Sequence, residues 1–87
     1  MAVIRKKIWP GYFELLASGK KKFEARLADF DVKEGDIFVL EEWDPQEKQY
    51  TGRTIQKEVD FVFKFKLDDF GQKREIEDKG MYIIQLK

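Results

Sequence analysis

The sequence predicts a small α+β domain, mainly β, in which five or six mostly antiparallel strands close into a barrel with one short N-terminal-side helix packed against it. Three observations predict it. The 87 residues leave room for a single domain spanning residues 1–87. Apolar and polar residues alternate along several segments, the period of strands with one buried face. Only one early stretch has a helical period instead.

Taken in order, Ala2–Ile8 reads as a first strand, basic in its second half. Trp9-Pro10 then changes the period, with Pro suited to the first helical turn. Trp9, Tyr12, Phe13 and Leu16 follow the spacing of one buried helical face, and Ser18-Gly19 ends the helix. So short a helix must lie on a sheet to persist. Phe23, Ala25 and Leu27 alternate with Lys22, Glu24 and Arg26, which predicts a second strand. Lys33-Glu34-Gly35-Asp36 is a turn, Ile37–Trp43 a third strand, and Asp44-Pro45 opens a hairpin connection ending near Gly52. Arg53–Leu67 alternates too long for one strand, so a bend should split it in two. In that stretch Phe61, Phe63 and Phe65 are expected in the core, with Lys64 and Lys66 facing outward. Asp68–Gly80 reads as a charged loop and Met81–Leu86 as a central strand.

A chain this size buries roughly 60–65% of its unfolded surface. Thirteen aromatics, eight of them Phe, supply large apolar area for so small a core. Basic and acidic side chains balance at 17 each, but not along the chain. Residues 1–26 hold seven basic and two acidic groups, a net of +5, so the rest carries −5. Such polarity suits an anionic ligand, although charges that solvate two faces would look the same.

Cysteine and histidine are both absent. There is no disulfide framework, no thiolate nucleophile, and neither the usual neutral-pH general base nor the commonest metal ligand. Asp29, Asp31, Glu34 and Asp36 straddle a turn without a calcium-loop pattern and read as solvating charges. No metal or cofactor is therefore expected. No stretch approaches the ~18 apolar residues of a membrane span, and no signal-peptide core opens the chain. The expected location is the cytoplasm, with no membrane partner.

The segment Gly19–Arg26 has the form G-x-K-x-x-E-x-R. Gly19 lets the chain turn tightly out of the helix, and Lys20, Lys21 and Lys22 concentrate positive charge at that turn. Strand alternation would put Glu24 and Arg26 on one face, where an ion pair or shared ligand can form. An ordinary exposed pair of this kind is worth only ~0–1 kcal/mol.

Gly19, Lys21, Glu24 and Arg26 make the chain resemble the ASCH domains, relatives of the PUA fold, whose signature has this form. The likeness extends to Ile8-Trp9-Pro10 with Tyr12-Phe13, the Lys33–Asp36 turn, Glu42-Trp43-Asp44-Pro45, Tyr50-Thr51-Gly52-Arg53 and Tyr82-Ile83-Ile84. Only Asp68–Gly80 lies outside it, and a compact ASCH subfamily of unknown function fits best. The resemblance implies a PUA-like barrel whose motif lines a cleft beside the helix, and RNA binding or processing. Ribonuclease activity is known in the family, but no residue here identifies it. Some members are hydrolases that remove the acetyl group of N4-acetylcytidine with a Lys and a Thr of the motif and a later Glu. Lys21 matches that Lys, but Glu24 stands where the nucleophilic Thr would be, so the activity does not carry over.

The expected function is a module binding RNA, a nucleotide or a nucleoside. Lys20, Lys21, Lys22, Arg26, Lys6 and Arg53 would hold phosphate, and Glu24 would position Arg26 or accept from a base or nucleoside amine. Trp43, for which hairpin packing is the commoner role, would stack on a base where it is exposed. The alternative is a small metal-independent hydrolase acting on RNA or a modified nucleoside, with Lys21 and Glu24 as its catalytic pair. A protein-interaction module would instead expose an apolar patch.

Overall fold

A computed structural model describes residues 1–87. The elements run β1 (Val3–Ile8), α1 (Pro10–Ala17), β2 (Ile37–Asp44), β3 (Gln49–Glu58) and α2 (Lys73–Lys79). The strands form one open sheet in the order β1-β2-β3. β1 pairs in parallel with β2, from Val3 opposite Ile37 to Ile8 opposite Glu42. β3 returns antiparallel, from Ile37 opposite Glu58 to Asp44 opposite Gln49, with an irregularity between Glu41 and Trp43.

The predicted barrel is thus corrected to a three-stranded mixed sheet with two helices. The parallel pair follows from α1, because a helix between two strands carries the chain back before the next begins. The sheet core is small. Ile8, Phe13, Leu16 and Leu40 are buried together, with Phe38 and Ile55 packed against them. They pin α1 to the middle strand, the support that a two-turn helix needs. Pro10 opens α1 without losing a hydrogen bond. At its end the Ser18 N–H donates to the Glu14 carbonyl at 3.0 Å, and Gly19 takes φ of 78°.

Asp36 ties the sheet to its preceding turn. Its carboxylate is buried and accepts from the Ala2 N–H at 2.9 Å and the Lys33 N–H at 3.0 Å. The expectation that Asp36 only solvates a turn is therefore corrected. At the hairpin, the Asp44 carboxylate accepts from the Gln46 N–H at 2.9 Å, an arrangement that mimics a backbone turn.

Four further expectations change. Phe23–Leu27 joins no ladder and lies in the connection between α1 and β2. The long alternation beyond Arg53 stays paired only to Glu58, although the Val59 N–H still reaches the Asp36 carbonyl at 2.7 Å. Phe61 and Phe63 are exposed rather than core. Met81–Leu86 forms no strand and its apolar side chains are exposed, while the supposed loop before it contains α2. Alternation describes which side of a strand is apolar; it does not supply the neighbouring backbone that makes a strand.

Candidate functional site

The connection from α1 to β2 folds back on the helix it leaves. The Lys21 N–H donates to the Leu15 carbonyl at 3.0 Å, which places the Lys21 side chain beside α1. Its ammonium lies 4.9 Å from the Phe23 ring centroid and 5.8 Å from that of Tyr12. It also donates to Glu24 at 2.9 Å, and the Arg26 guanidinium reaches the other oxygen of that carboxylate at 2.8 Å. Lys21 and Glu24 are largely shielded, their side chains 16% and 17% exposed. One carboxylate therefore holds two cations, leaving a net positive cluster.

Arg26 fastens this cluster to the sheet. Its Nη2 donates to the Lys7 carbonyl at 2.8 Å, near the end of β1. Lys20 and Lys22 flank the cluster and both are exposed. Their backbones are held by Gln85, whose amide accepts from the Lys22 N–H at 2.9 Å and donates to the Lys20 carbonyl at 3.1 Å. Neither ammonium is in an ion pair.

Other expected ligand residues lie elsewhere. The Lys6 ammonium sits over the Phe30 ring at 3.8 Å. Trp43 packs edge-on against Tyr50 with centroids 4.9 Å apart, and the Lys7 ammonium covers its ring at 3.7 Å. The ring of Trp43 is thus already engaged by protein groups.

Arg53 belongs to a second network, which reaches α1 through Glu14. Its Nε and Nη2 grip the Glu42 carboxylate at 2.9 and 2.8 Å, and Nη2 also meets Glu14 on α1. The Thr51 hydroxyl donates to Glu42 as well. Glu42 is buried, and its hydrogen bonds from Arg53 first and Thr51 second hold its carboxyl below the usual range despite desolvation. Its own bonds to Glu42 and, less so, to Glu14 raise Arg53 further above its ordinary value. The guanidinium also covers the Phe13 ring, with Cζ 4.4 Å from the centroid.

Sequence reasoning did not single out Glu14, Glu42 or Thr51 as partners of Arg53. One signal was available. Phe38, Leu40 and Glu42 share a parity in β2, so a carboxylate follows two core positions on the same strand face. Trp9 and Tyr12 were expected in the core, yet both are exposed; Phe13 and Leu16 alone supply the buried stripe of α1. No group of three or more acidic side chains is arranged to hold a metal ion. No helix is long and apolar enough to cross a membrane.

The family model described as a domain of unknown function, DUF3850, matches residues 5–76. The chain belongs to this family. Membership in DUF3850, together with the open sheet, overturns the resemblance to ASCH domains and the PUA-like barrel it implied. The matched DUF3850 region includes both ionic networks of α1, apart from the Gln85 contact. The chain is also similar to an uncharacterized 12.9 kDa protein in the GpA 3' region of Escherichia phage P2. They are 34% identical over 53 residues, or 61% of this chain and 47% of the phage protein. The chain thus spans about half the length of that relative. No solved structure matches it.

Proposed function

We infer that this protein binds a phosphate-bearing ligand, RNA or a nucleotide, through the segment Lys20–Arg26. One observation carries the reading: of three consecutive lysines only the middle one is ion-paired, and Lys20 and Lys22 present free ammonium groups to solvent. Lys21 and Arg26 are locked on Glu24, so their role is to fix the shape of the segment and add positive potential. The two outer lysines are left to contact phosphate. Such contacts give affinity and register without sequence choice. The net charge of +5 over residues 1–26 favours the approach of a polyanion to this end of the chain.

Chemical-shift mapping with 15N-labelled protein and a short RNA tests the reading. The amides of Lys20–Arg26 should move in a saturable way. Shifts confined to other regions, or none, contradict it.

A second reading draws on a different observation. Phe61, Phe63, Leu67, Phe70 and Met81–Leu86 leave many large apolar groups exposed, more than isolated surface residues explain. A protein-interaction module would use them. It predicts concentration-dependent self-association or protein capture with no salt-sensitive RNA binding, which sedimentation equilibrium and RNA titration separate.

A further inference from the structure

Two aromatic side chains of α1 and its entry are exposed: Tyr12, which lies beside Lys21 of the lysine segment, and Trp9, three residues earlier at the helix entry. Trp9 is 57% exposed and Tyr12 55%, while Phe13 and Leu16 complete the contact of the helix with the sheet. The core therefore does not need either ring to be where it is. Large amphipathic rings left in water beside cations are characteristic of surfaces that stack bases. Tyr12 is directly connected to the cationic segment: the Lys21 ammonium lies 5.8 Å from its ring centroid and 2.9 Å from Glu24. The Lys21 N–H bond to Leu15 holds the segment against the helix.

We propose that Trp9 and Tyr12 form a base-stacking surface for single-stranded RNA, whose backbone runs along Lys20 and Lys22. This rests on the phosphate-binding reading above and deepens it by naming the strand state of the ligand. A stacking surface takes bases by their faces, so it needs nucleotides that are not already stacked in a duplex. It discriminates little among bases, because every base presents a π-face. Trp43 takes no part, since the Lys7 ammonium and the edge contact with Tyr50 occupy its ring.

The experiment titrates the protein with a short oligouridine, and with the same strand annealed to its complement, following tryptophan emission and anisotropy of a labelled RNA. The single strand should bind more tightly and quench the emission, and Trp9→Phe should abolish the quenching while largely preserving affinity. Tyr12→Ala should weaken binding about tenfold with an unchanged salt slope, whereas Tyr12→Phe should retain it. Both side chains are exposed, and a urea melt of each variant checks that the fold is retained. Wild-type affinity in Tyr12→Ala and in Trp9→Ala, at an intact salt slope, overturns the stacking surface and leaves the phosphate reading standing. Equal binding of duplex and single strand also overturns it. Loss of all salt-sensitive binding in the wild-type protein overturns both.

Discussion

The Arg26 guanidinium donates to the Lys7 carbonyl at 2.8 Å, joining the connection after α1 to the strand before it. The same side chain grips Glu24, which in turn holds Lys21. This arginine therefore ties the lysine segment to β1, in addition to the Lys21 N–H bond to Leu15 and the Gln85 contacts that hold its backbone.

Arg26→Ala should cost about 1 kcal/mol in urea unfolding, below the ~1.5–3 kcal/mol of a charged hydrogen bond because the side chain is partly solvated. Amide exchange of Lys21–Glu24 should speed up more than that of β2. Arg26→Lys should not restore protection, because an ammonium lacks the planar fork that serves two acceptors at once. Unchanged exchange in the alanine variant would show that the segment is ordered by something else.

Gly19 adopts φ of 78° with nothing within 4 Å of where a Cβ would sit. Gly19→Ala should therefore cost ~1 kcal/mol through backbone strain alone, with no steric clash. Gly19→Asn should cost less, since Asn tolerates this region better. Equal stability of the wild-type protein and the Gly19→Ala variant in urea melts would contradict the left-handed turn.

Glu42 and Glu14 share Arg53 unequally, one buried and the other largely in solvent. Glu42→Gln should lower Tm by several degrees, because the guanidinium loses its charged partner beneath it. Glu14→Gln should shift Tm by less than about 2 °C. Equal shifts in calorimetry would place the weight of the network elsewhere.

Asp36 and Glu42 both have carboxyls held below their ordinary values of 3.8 and 4.5, by the Ala2 N–H above all for Asp36 and by Arg53 for Glu42. Each binds a proton more readily in the unfolded chain than in the folded one. Their contribution is complete above the ordinary carboxylate range and is lost as pH falls through the lowered folded values. Stability should therefore drop on acidification from about pH 5 downward, and Asp36→Asn with Glu42→Gln should flatten that limb. A pH–Tm profile equally steep in the double variant would assign the acid sensitivity to other carboxylates.

Within the first half of the fold, β1, α1 and β2 were legible in the sequence because their signals are local, whereas the parallel pairing of β1 with β2 and the strandless connection at Phe23–Leu27 were not. Trp9-Pro10 and Gly19 mark both ends of α1 and Asp44-Pro45 marks the hairpin, while of the four residues spaced as a buried face only Phe13 and Leu16 are buried. The second half was not legible. Val59–Leu67 and Met81–Leu86 carry strand-like patterns but find no partner, and a pattern of side chains says nothing about pairing backbone. At the candidate site, the spacing of Glu24 and Arg26 suggested an ion pair or a shared ligand on a strand; the pair forms, but in a connection without a strand and with Lys21 on the same carboxylate. The Glu42–Arg53–Glu14 network joins three elements, so only their packing reveals it.

Binding of single-stranded RNA as a function of salt tests the central claim most directly, comparing the wild-type protein with Lys20→Ala/Lys22→Ala. Each phosphate contact contributes about 0.7 to the slope of log affinity against log salt on a single strand. Removing the two free ammonium groups should weaken binding and make the slope shallower by roughly 1.4. An identical slope and affinity in the double variant would contradict the assignment of phosphate binding to Lys20 and Lys22.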